Sequence, residues 1–227
     1  MSRQLGFDLP GLTALNRADF LVAPSNAVAV AMIENWHDWP GRKLVLCGPE
    51  GSGKTHLSHV WAQLSGARIV SACDVREPEI PDLAHGSVAV EDVPEIAGQD
   101  KAQTALFHLH NLVLAEGHSL LMTGCGATKQ WGLDLPDLAS RIEGTPAATL
   151  ALPDDALLAA VIAKLFADRQ ITPKANLIPY LIPRINRSFA AAGEIVAALD
   201  TASLAEKRPV NRRLAADVLD KLHRVAR

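Results

Sequence analysis

Residues 48 to 55, GPEGSGKT, have the composition and spacing of a loop that binds nucleotide phosphates. They match the pattern GxxxxGK[ST], and an apolar run (KLVLC) precedes them while a helical pattern follows, as this motif requires. Glycines let backbone N–H groups surround an anion, and the helix N-terminus adds partial positive charge. Lys54 would then reach the β- and γ-phosphates, and the Thr55 hydroxyl would bind Mg²⁺. A coincidental glycine turn is the alternative, which the flanking elements disfavour.

A second group suited to this chemistry is the acidic pair Glu91-Asp92, which ends the apolar run SVAV. Phosphoryl transfer needs a carboxylate at the end of a neighbouring strand to hold the metal and orient water. Acidic turns often follow strands, so the pair becomes informative only together with the phosphate loop. We predict that this pair binds the metal and orients the water, with Thr55 and Glu91 as Mg²⁺ ligands. The rival enzyme, a small-molecule kinase, would need neither this pair nor a helical region at the C-terminus.

Strands and helices alternate along the part of the chain that must position these groups. Apolar runs predict strands at residues 43–47, 68–72, 87–92, 119–123 and 148–152, with helices at 54–64 and 101–117 among them. This alternation predicts a three-layer α/β fold with a five-stranded parallel sheet. After Pro153, helical patterns cover residues 154–170, 174–182, 188–205 and 211–226. We therefore expect an N-terminal tail over 1–18, an α/β base over 19–152 and a small all-helical lid over 153–227.

Composition narrows the class of protein. The formal net charge is −3, so the chain as a whole lacks the positive charge that favours nucleic-acid binding. No apolar run approaches the roughly 20 residues that span a bilayer. The N-terminus has no signal-peptide pattern, and the three cysteines have no metal-ligand spacing, so we expect a reduced, cytoplasmic protein that does not contact membranes. The segment 207–227 has seven Lys/Arg against two Asp. A solvated helix face explains this segment, and a DNA contact there would be weak and non-specific.

In this order, the motifs resemble those of the AAA+ ATPases, and in particular the family of the replication initiator DnaA with its short regulatory members. DFLVAPSNAVA (19–29) is similar to the family's first box, whose backbone lies against adenine. VAVEDVPE resembles the Walker B region, LLMTG the sensor 1 strand, and LDLPDLASRIEG (133–144) the box that carries an arginine finger. The resemblance implies ATP or ADP with Mg²⁺, bound by Val22, Gly48, Pro49, Glu50, Gly51, Ser52, Gly53, Lys54, Thr55, His56 and Thr123.

The resemblance also implies two protein partners. Arg141 aligns with the arginine finger, which would complete the ATP site of the initiator DnaA in trans; a surface salt-bridge partner is the alternative reading. QLGFDLP (4–10) resembles the peptide with which such regulators bind the DNA polymerase sliding clamp. Gln4 would enter a polar pocket, and three apolar residues would enter a groove: Leu5, Phe7 and Leu9. A tail without function is the alternative. The chain ends at Arg227, so we expect no helix-turn-helix domain after the lid.

Three positions depart from the family pattern. Glu91-Asp92 stands where Asp-Asp is common, Cys125 stands where an acidic residue is usual, and Ala190 stands at the lid's sensor 2 arginine. Arg187, one helical turn before Ala190, is a candidate replacement. Loss of the lid arginine implies weak intrinsic ATP hydrolysis and weak sensing of the γ-phosphate.

We therefore expect a nucleotide-binding regulator that docks on the clamp and stimulates hydrolysis of initiator-bound ATP. An autonomous ATPase such as a helicase loader would turn over ATP alone and lose that activity with Lys54→Ala. A non-catalytic clamp-binding scaffold would tolerate Arg141→Ala. The sequence leaves open the resting nucleotide, self-association into a homo-oligomer, and further targets.

Overall fold

The computed structural model describes residues 20–225, in which five parallel strands form a single sheet. The strands are β1 (Lys43–Cys47), β2 (Arg68–Ser71), β3 (Val88–Glu91), β4 (Leu120–Gly124) and β5 (Ala147–Thr149), in the order β2-β3-β4-β1-β5. Every pairing is parallel, and β1 lies between β4 and the edge strand β5. The predicted α/β class and the five-stranded parallel sheet are confirmed. The largest boundary error is at β5, which the sequence predicts over residues 148–152.

Helices connect and cover the strands. They are α1 (Ala27–Glu34), α2 (Lys54–Ser65), α3 (Ile80–Leu83), α4 (Asp100–Ala115), α5 (Pro136–Glu143), α6 (Asp155–Asp168), α7 (Ile178–Leu181), α8 (Phe189–Glu206) and α9 (Arg212–Val225). Side-chain caps explain where several of them begin. Asp154 accepts a hydrogen bond from the N–H of Leu157 at the start of α6, and Ser188 accepts one from the N–H of Ala191 at the start of α8. Each cap satisfies an N–H that lacks a helical partner.

The sheet is covered on both faces, and the residues of β1 alternate between the two apolar clusters. Val45 and Cys47 of β1 pack into the apolar cluster on the side of α4 and α5. Leu44 and Leu46 pack into the cluster on the other side, with Leu57 of α2. Successive side chains of a strand point to opposite faces, so a five-residue apolar strand serves two cores.

A third apolar cluster is built only from residues of the C-terminal helices. It begins at Leu158 of α6 and includes Phe166, Leu199 of α8 and Leu214 of α9. This separate core agrees with the expected helical lid, and the exact division near residue 153 stays a prediction. No helix in the described part of the chain is long and apolar enough to cross a membrane. The expected clamp peptide, with Gln4, Leu5, Phe7 and Leu9, lies outside the described residues.

Candidate nucleotide-binding site

A cavity of about 540 Å³ lies between the base and the C-terminal helices. The loop after β1 and the start of α2 contribute Glu50, Gly51, Gly53, Lys54, Thr55 and His56 to its wall, and Asp92 follows β3. Helices α6 and α8 close the opposite side with Val161, Lys164, Leu165, Asp168, Phe189, Ala190 and Gly193. Six of the eleven sequence-predicted nucleotide-binding residues therefore line one cavity, together with the acidic residue Asp92.

The loop has the backbone conformation that an anion-binding nest requires. Gly51 and Gly53 have φ angles of +74° and +97°, in the left-handed region that favours glycine. Gly53 is the N-cap of α2, and no side chain in the described part of the chain caps this helix end. No capping side chain therefore competes with phosphate oxygens at the start of α2, where the helix dipole favours negative charge.

Lys54 is buried, and its ammonium already lies within the loop. Its Nζ donates to the carbonyl oxygens of Gly48 over 2.9 Å and of Pro49 over 3.0 Å. An ammonium has three N–H donors, so one remains for a phosphate oxygen. These two bonds hold the positive charge beside the nest that α2 begins.

Three other loop residues that were predicted to bind nucleotide do not line the cavity. Gly48 is buried, and a Cβ there would lie 2.6 Å from the carbonyl oxygen of Leu150. Pro49 is exposed. Ser52 is buried, and its Oγ has no hydrogen-bond partner among the described residues. Gly48 therefore serves close packing against the strand β5 side of the base.

The acidic pair is divided between two environments. Asp92 lines the cavity and is exposed, with φ +55°. Its N–H donates to the Oγ1 of Thr123 over 3.1 Å, and Thr123 is buried on β4. Thr123 thus positions the backbone of the acidic turn and is not among the residues that line the cavity. Glu91 is half-buried, and its Oε1 is buried without a partner in the described part of the chain.

The residues present fit a nucleotide-bound Mg²⁺. This ion usually keeps several waters and takes one or two protein oxygens besides the phosphates. Thr55 is exposed and lines the cavity with Asp92. The unpartnered Glu91 Oε1 is an acceptor that a metal-bound water would satisfy. Thr55 and Glu91 would therefore hold the ion, with Asp92 beside them.

Two aromatic residues that were not among the predicted nucleotide-binding residues, Phe20 and Phe189, line the cavity. The Phe20 ring packs edge-on against His56 at 4.9 Å between centroids, and Phe189 lies 6.4 Å from Phe20. Asn26 fixes the entering segment, because its Oδ1 accepts from the N–H of Ala23 and its Nδ2 donates to the carbonyl of Leu21. Within the predicted box, Phe20 and Leu21 line the cavity, whereas Val22 is 52% exposed and is not among the lining residues.

The lid is seated directly on the phosphate loop. The N–H of Phe189 donates to the carbonyl oxygen of Gly51 over 3.2 Å. A Cβ on Gly51 would lie 2.3 Å from the Cβ of Ser188, and one on Gly53 would lie 3.1 Å from the Phe189 ring. The two loop glycines therefore permit both the left-handed backbone and the close approach of α8.

The lid's cations are distributed differently from the family pattern. Ala190 lines the cavity at the position where the resemblance places an arginine. Arg187 is not among the lining residues, and its Nη2 lies 2.8 Å from Asp155 Oδ1. Lys164 lines the cavity from α6, with its Nζ 3.0 Å from Asp168 Oδ2. Arg187 is thus paired with Asp155 at the lid surface. Lys164 is a lid cation that lines the cavity.

Arg141 lies on an exposed surface of the base near the end of α5 and does not line the cavity. Its guanidinium carbon is 5.2 Å from the centroid of the Phe107 ring. Its carbonyl oxygen accepts from Thr145 Oγ1 over 2.7 Å and from Lys43 Nζ over 3.3 Å. Burial lowers the pKa of Lys43, and the nearby Arg141 charge lowers it further.

No family model matches this sequence. Among solved structures, domain III of the replication initiation protein DnaA from Thermotoga maritima superposes with a TM-score of 0.78 at 17% identity, covering 91% of this chain and 96% of that one. AMPPCP-bound DnaA from Aquifex aeolicus gives 0.65 at 17% identity, covering 78% of this chain and 62% of that one. The RuvB Holliday junction branch migration motor from Thermotoga maritima gives 0.66 at 14% identity, covering 85% and 65% respectively.

At these identities the likeness establishes the fold. The chain has the three-layer α/β fold, with a five-stranded parallel sheet, that domain III of Thermotoga maritima DnaA also has.

Proposed function

We propose that this protein is a nucleotide-dependent regulator of replication initiation, similar to Hda, the short homologue that inactivates the initiator DnaA. The observation that carries the proposal is a cavity between the phosphate loop and the lid helices α6 and α8, in a chain that matches 96% of the length of DnaA domain III. The AMPPCP complex of Aquifex aeolicus DnaA supports an adenine nucleotide, ATP or ADP, as the ligand. The cytoplasm is the compartment that this function requires.

The nucleotide phosphates would bind the N–H groups of residues 51–55, with Lys54 neutralising their charge. The wall formed by Phe20, His56 and Phe189 would enclose the base and sugar. Thr55 and Glu91 would hold Mg²⁺, which supplies charge neutralisation at the β- and γ-phosphates.

Arg141 would act on a neighbouring protein and not on its own nucleotide. It is exposed and outside the lining of its own cavity, so its guanidinium is available to a partner's ATP site. A positive charge placed there stabilises the charge that develops as the γ-phosphate leaves, which is worth about 10³–10⁵ in rate. The partner that fits this role is the initiator, whose ATP form would be converted to its ADP form.

The chain's own nucleotide would serve mainly as a switch. Ala190 removes the lid arginine from the γ-phosphate region, and Arg187 is already paired with Asp155. Intrinsic turnover should therefore be slow, while binding remains. The lid rests on Gly51, so the occupancy of the loop would set the position of α8.

Clamp docking is the second element of this proposal. QLGFDLP would tether the regulator to a sliding clamp on DNA, through Gln4 and the apolar residues Leu5, Phe7 and Leu9. A tether raises the effective concentration near a DNA-bound partner without a strong direct contact. The proposal of clamp docking rests on the resemblance of QLGFDLP to a clamp-binding peptide.

The test follows hydrolysis of labelled ATP already bound to the initiator, with clamp loaded on DNA, before and after addition of this protein. We expect acceleration that is lost with Arg141→Ala and reduced with Gln4→Ala. Arg68→Ala is the matched control, because Arg68 is an exposed arginine of the base paired to Asp82 at 2.6 Å. Unchanged acceleration with Arg141→Ala would instead support a scaffold. Fast ATP turnover by this chain alone, lost with Lys54→Ala, would support an autonomous ATPase.

A further inference from the structure

Two arginines from different elements meet on one aromatic ring in the lid. The guanidinium carbon of Arg184 lies 4.0 Å from the centroid of the Tyr180 ring, and that of Arg212 lies 4.6 Å from it. Arg184 Nη1 also donates to the carbonyl oxygen of Tyr180 over 2.9 Å. The ring is half-buried, and both arginine side chains are exposed. We call these three residues the Arg–Tyr–Arg surface.

This surface lacks the counter-charges that three other lid arginines have. Arg187 is 2.8 Å from Asp155, Arg208 is 2.7 Å from Glu206, and Arg169 is 3.8 Å from Asp200. Within the described part of the chain, neither Arg184 nor Arg212 has a carboxylate within 4.0 Å. Segments 169–193 and 207–216, which contain Arg184 and Arg212, each have four Lys/Arg and no Asp or Glu, so a counter-charge can come only from another part of the chain.

The arrangement is electrostatically unfavourable on its own. Two cations share one ring without a neutralising carboxylate, and Arg212 with Arg213 begins α9, where the helix dipole disfavours positive charge. A guanidinium stacked on an aromatic ring keeps its planar fork of N–H donors directed away from the ring, ready for bidentate contact with an oxyanion. An anion at this surface would relieve the repulsion and use these donors.

We propose that the Arg–Tyr–Arg surface binds the phosphate backbone of duplex DNA without reading its sequence. Both arginines are exposed and come from separate elements, α9 and the segment after α7, so their charge is complementary to a polyanion such as the phosphate backbone of DNA. Arginine contacts to phosphates fix position but carry no base information. The proposal is independent of the nucleotide cavity and of Arg141, because the two arginines belong to the lid surface and are not among the residues that line that cavity.

The test measures binding of the full chain to a fluorescently labelled duplex of mixed sequence by anisotropy, over a series of salt concentrations. The double variant Arg184→Ala/Arg212→Ala should bind at least ten-fold more weakly. The slope of log K against log salt should fall by about 1.8, since each B-DNA phosphate contact contributes about 0.9. The double variant Lys101→Ala/Lys129→Ala removes the same charge from exposed positions of the base, and it should retain the wild-type slope.

Three outcomes of the salt titration would overturn the proposal: no duplex binding by the wild type at low salt, an equal loss in both double variants, or no loss in the arginine variant. Thermal unfolding of each variant checks that the exposed substitutions leave the fold intact. A competition experiment compares how well polyglutamate and unlabelled DNA, at equal total charge, displace the labelled duplex. Displacement of the duplex as effective as that by unlabelled DNA would identify an acidic-protein surface and reject the DNA backbone as its partner.

Discussion

The N–H of Phe189 donates to the carbonyl oxygen of Gly51 over 3.2 Å, so the first residue of a lid helix is hydrogen-bonded to the phosphate loop. Ser188, the N-cap of that helix, packs where a Cβ of Gly51 would be. Because nucleotide phosphates would bind the N–H groups of the same loop, its conformation and the position of α8 cannot change independently. This coupling leads to the first prediction.

Gly51→Ala should weaken both folding and nucleotide binding. Alanine at φ +74° costs about 1–2 kcal/mol, and its Cβ would lie 2.3 Å from that of Ser188, which adds an overpacking cost of about 1–3 kcal/mol. Gly66→Ala is the control, because Gly66 has φ +71° and an added Cβ there would have no neighbour within 4 Å among the described residues. Urea unfolding of both variants separates the two contributions. Equal destabilisation would show that the lid contact is absent in solution.

Lys54→Ala should reduce affinity for ADP and ATP by about 10- to 100-fold, as expected for loss of a charged hydrogen bond worth about 1.5–3 kcal/mol. The ammonium is held in the loop by the carbonyl oxygens of Gly48 and Pro49, so its position is set before a ligand enters. Titration calorimetry measures the affinity, and circular dichroism checks the fold. The exposed Lys129→Ala serves as the charge control. Unchanged affinity in Lys54→Ala would rule out this loop as the phosphate site.

The architecture was predictable because each of its signals is local. The apolar run before GPEGSGKT and the alternation of strands and helices are properties of short segments. Strand ends were less certain: β5 is only three residues long and begins one residue earlier than expected. A short apolar run has no periodic pattern by which its limits could be set.

The walls of the site were less predictable because they join residues distant in sequence. Phe189 reaches Gly53 from the lid, and Lys164 reaches the same cavity from α6. Their positions depend on how α6 and α8 pack on the base, which periodicity does not give. Phe20 has a local signal, an aromatic residue at the start of the box DFLVAPSNAVA, and it lines the cavity, whereas the predicted Val22 does not. The departure at Ala190 was visible in the sequence, but the engagement of Arg187 by Asp155 was not.

Phe107→Ala should reduce the stimulation of initiator-bound ATP hydrolysis by about 2- to 5-fold, if Arg141 acts in trans as proposed. The Phe107 ring holds the guanidinium at 5.2 Å, and a cation–π contact at an exposed site is worth about 0.5–1 kcal/mol. Phe107 would be a positioning residue, so Phe107→Tyr should restore the rate. The hydrolysis assay with increasing regulator concentration should show a lower maximal rate in Phe107→Ala, with half-saturation unchanged. A change in half-saturation alone would indicate a role in partner binding.

His110 should make folding stability depend on pH between about 6.5 and 4. Burial lowers the pKa of this histidine to about 4, and the Lys43 charge contributes to the same shift. Its Nε2 lies 3.5 Å from Lys43 Nζ and its Nδ1 3.4 Å from Asn111 Oδ1, an arrangement suited to the neutral ring.

Below pH 6.5 the unfolded histidine takes up a proton while the folded one does not, so the free energy of unfolding falls as pH decreases toward 4. The full difference is about 3 kcal/mol. Urea unfolding at several pH values should therefore show a flatter profile for His110→Leu than for wild type. His108→Gln, at the exposed histidine two residues earlier, should keep the wild-type profile. If wild type and His110→Leu lost stability in parallel over this range, the buried neutral state of His110 would be excluded, and the acid sensitivity would have to arise from the carboxylates.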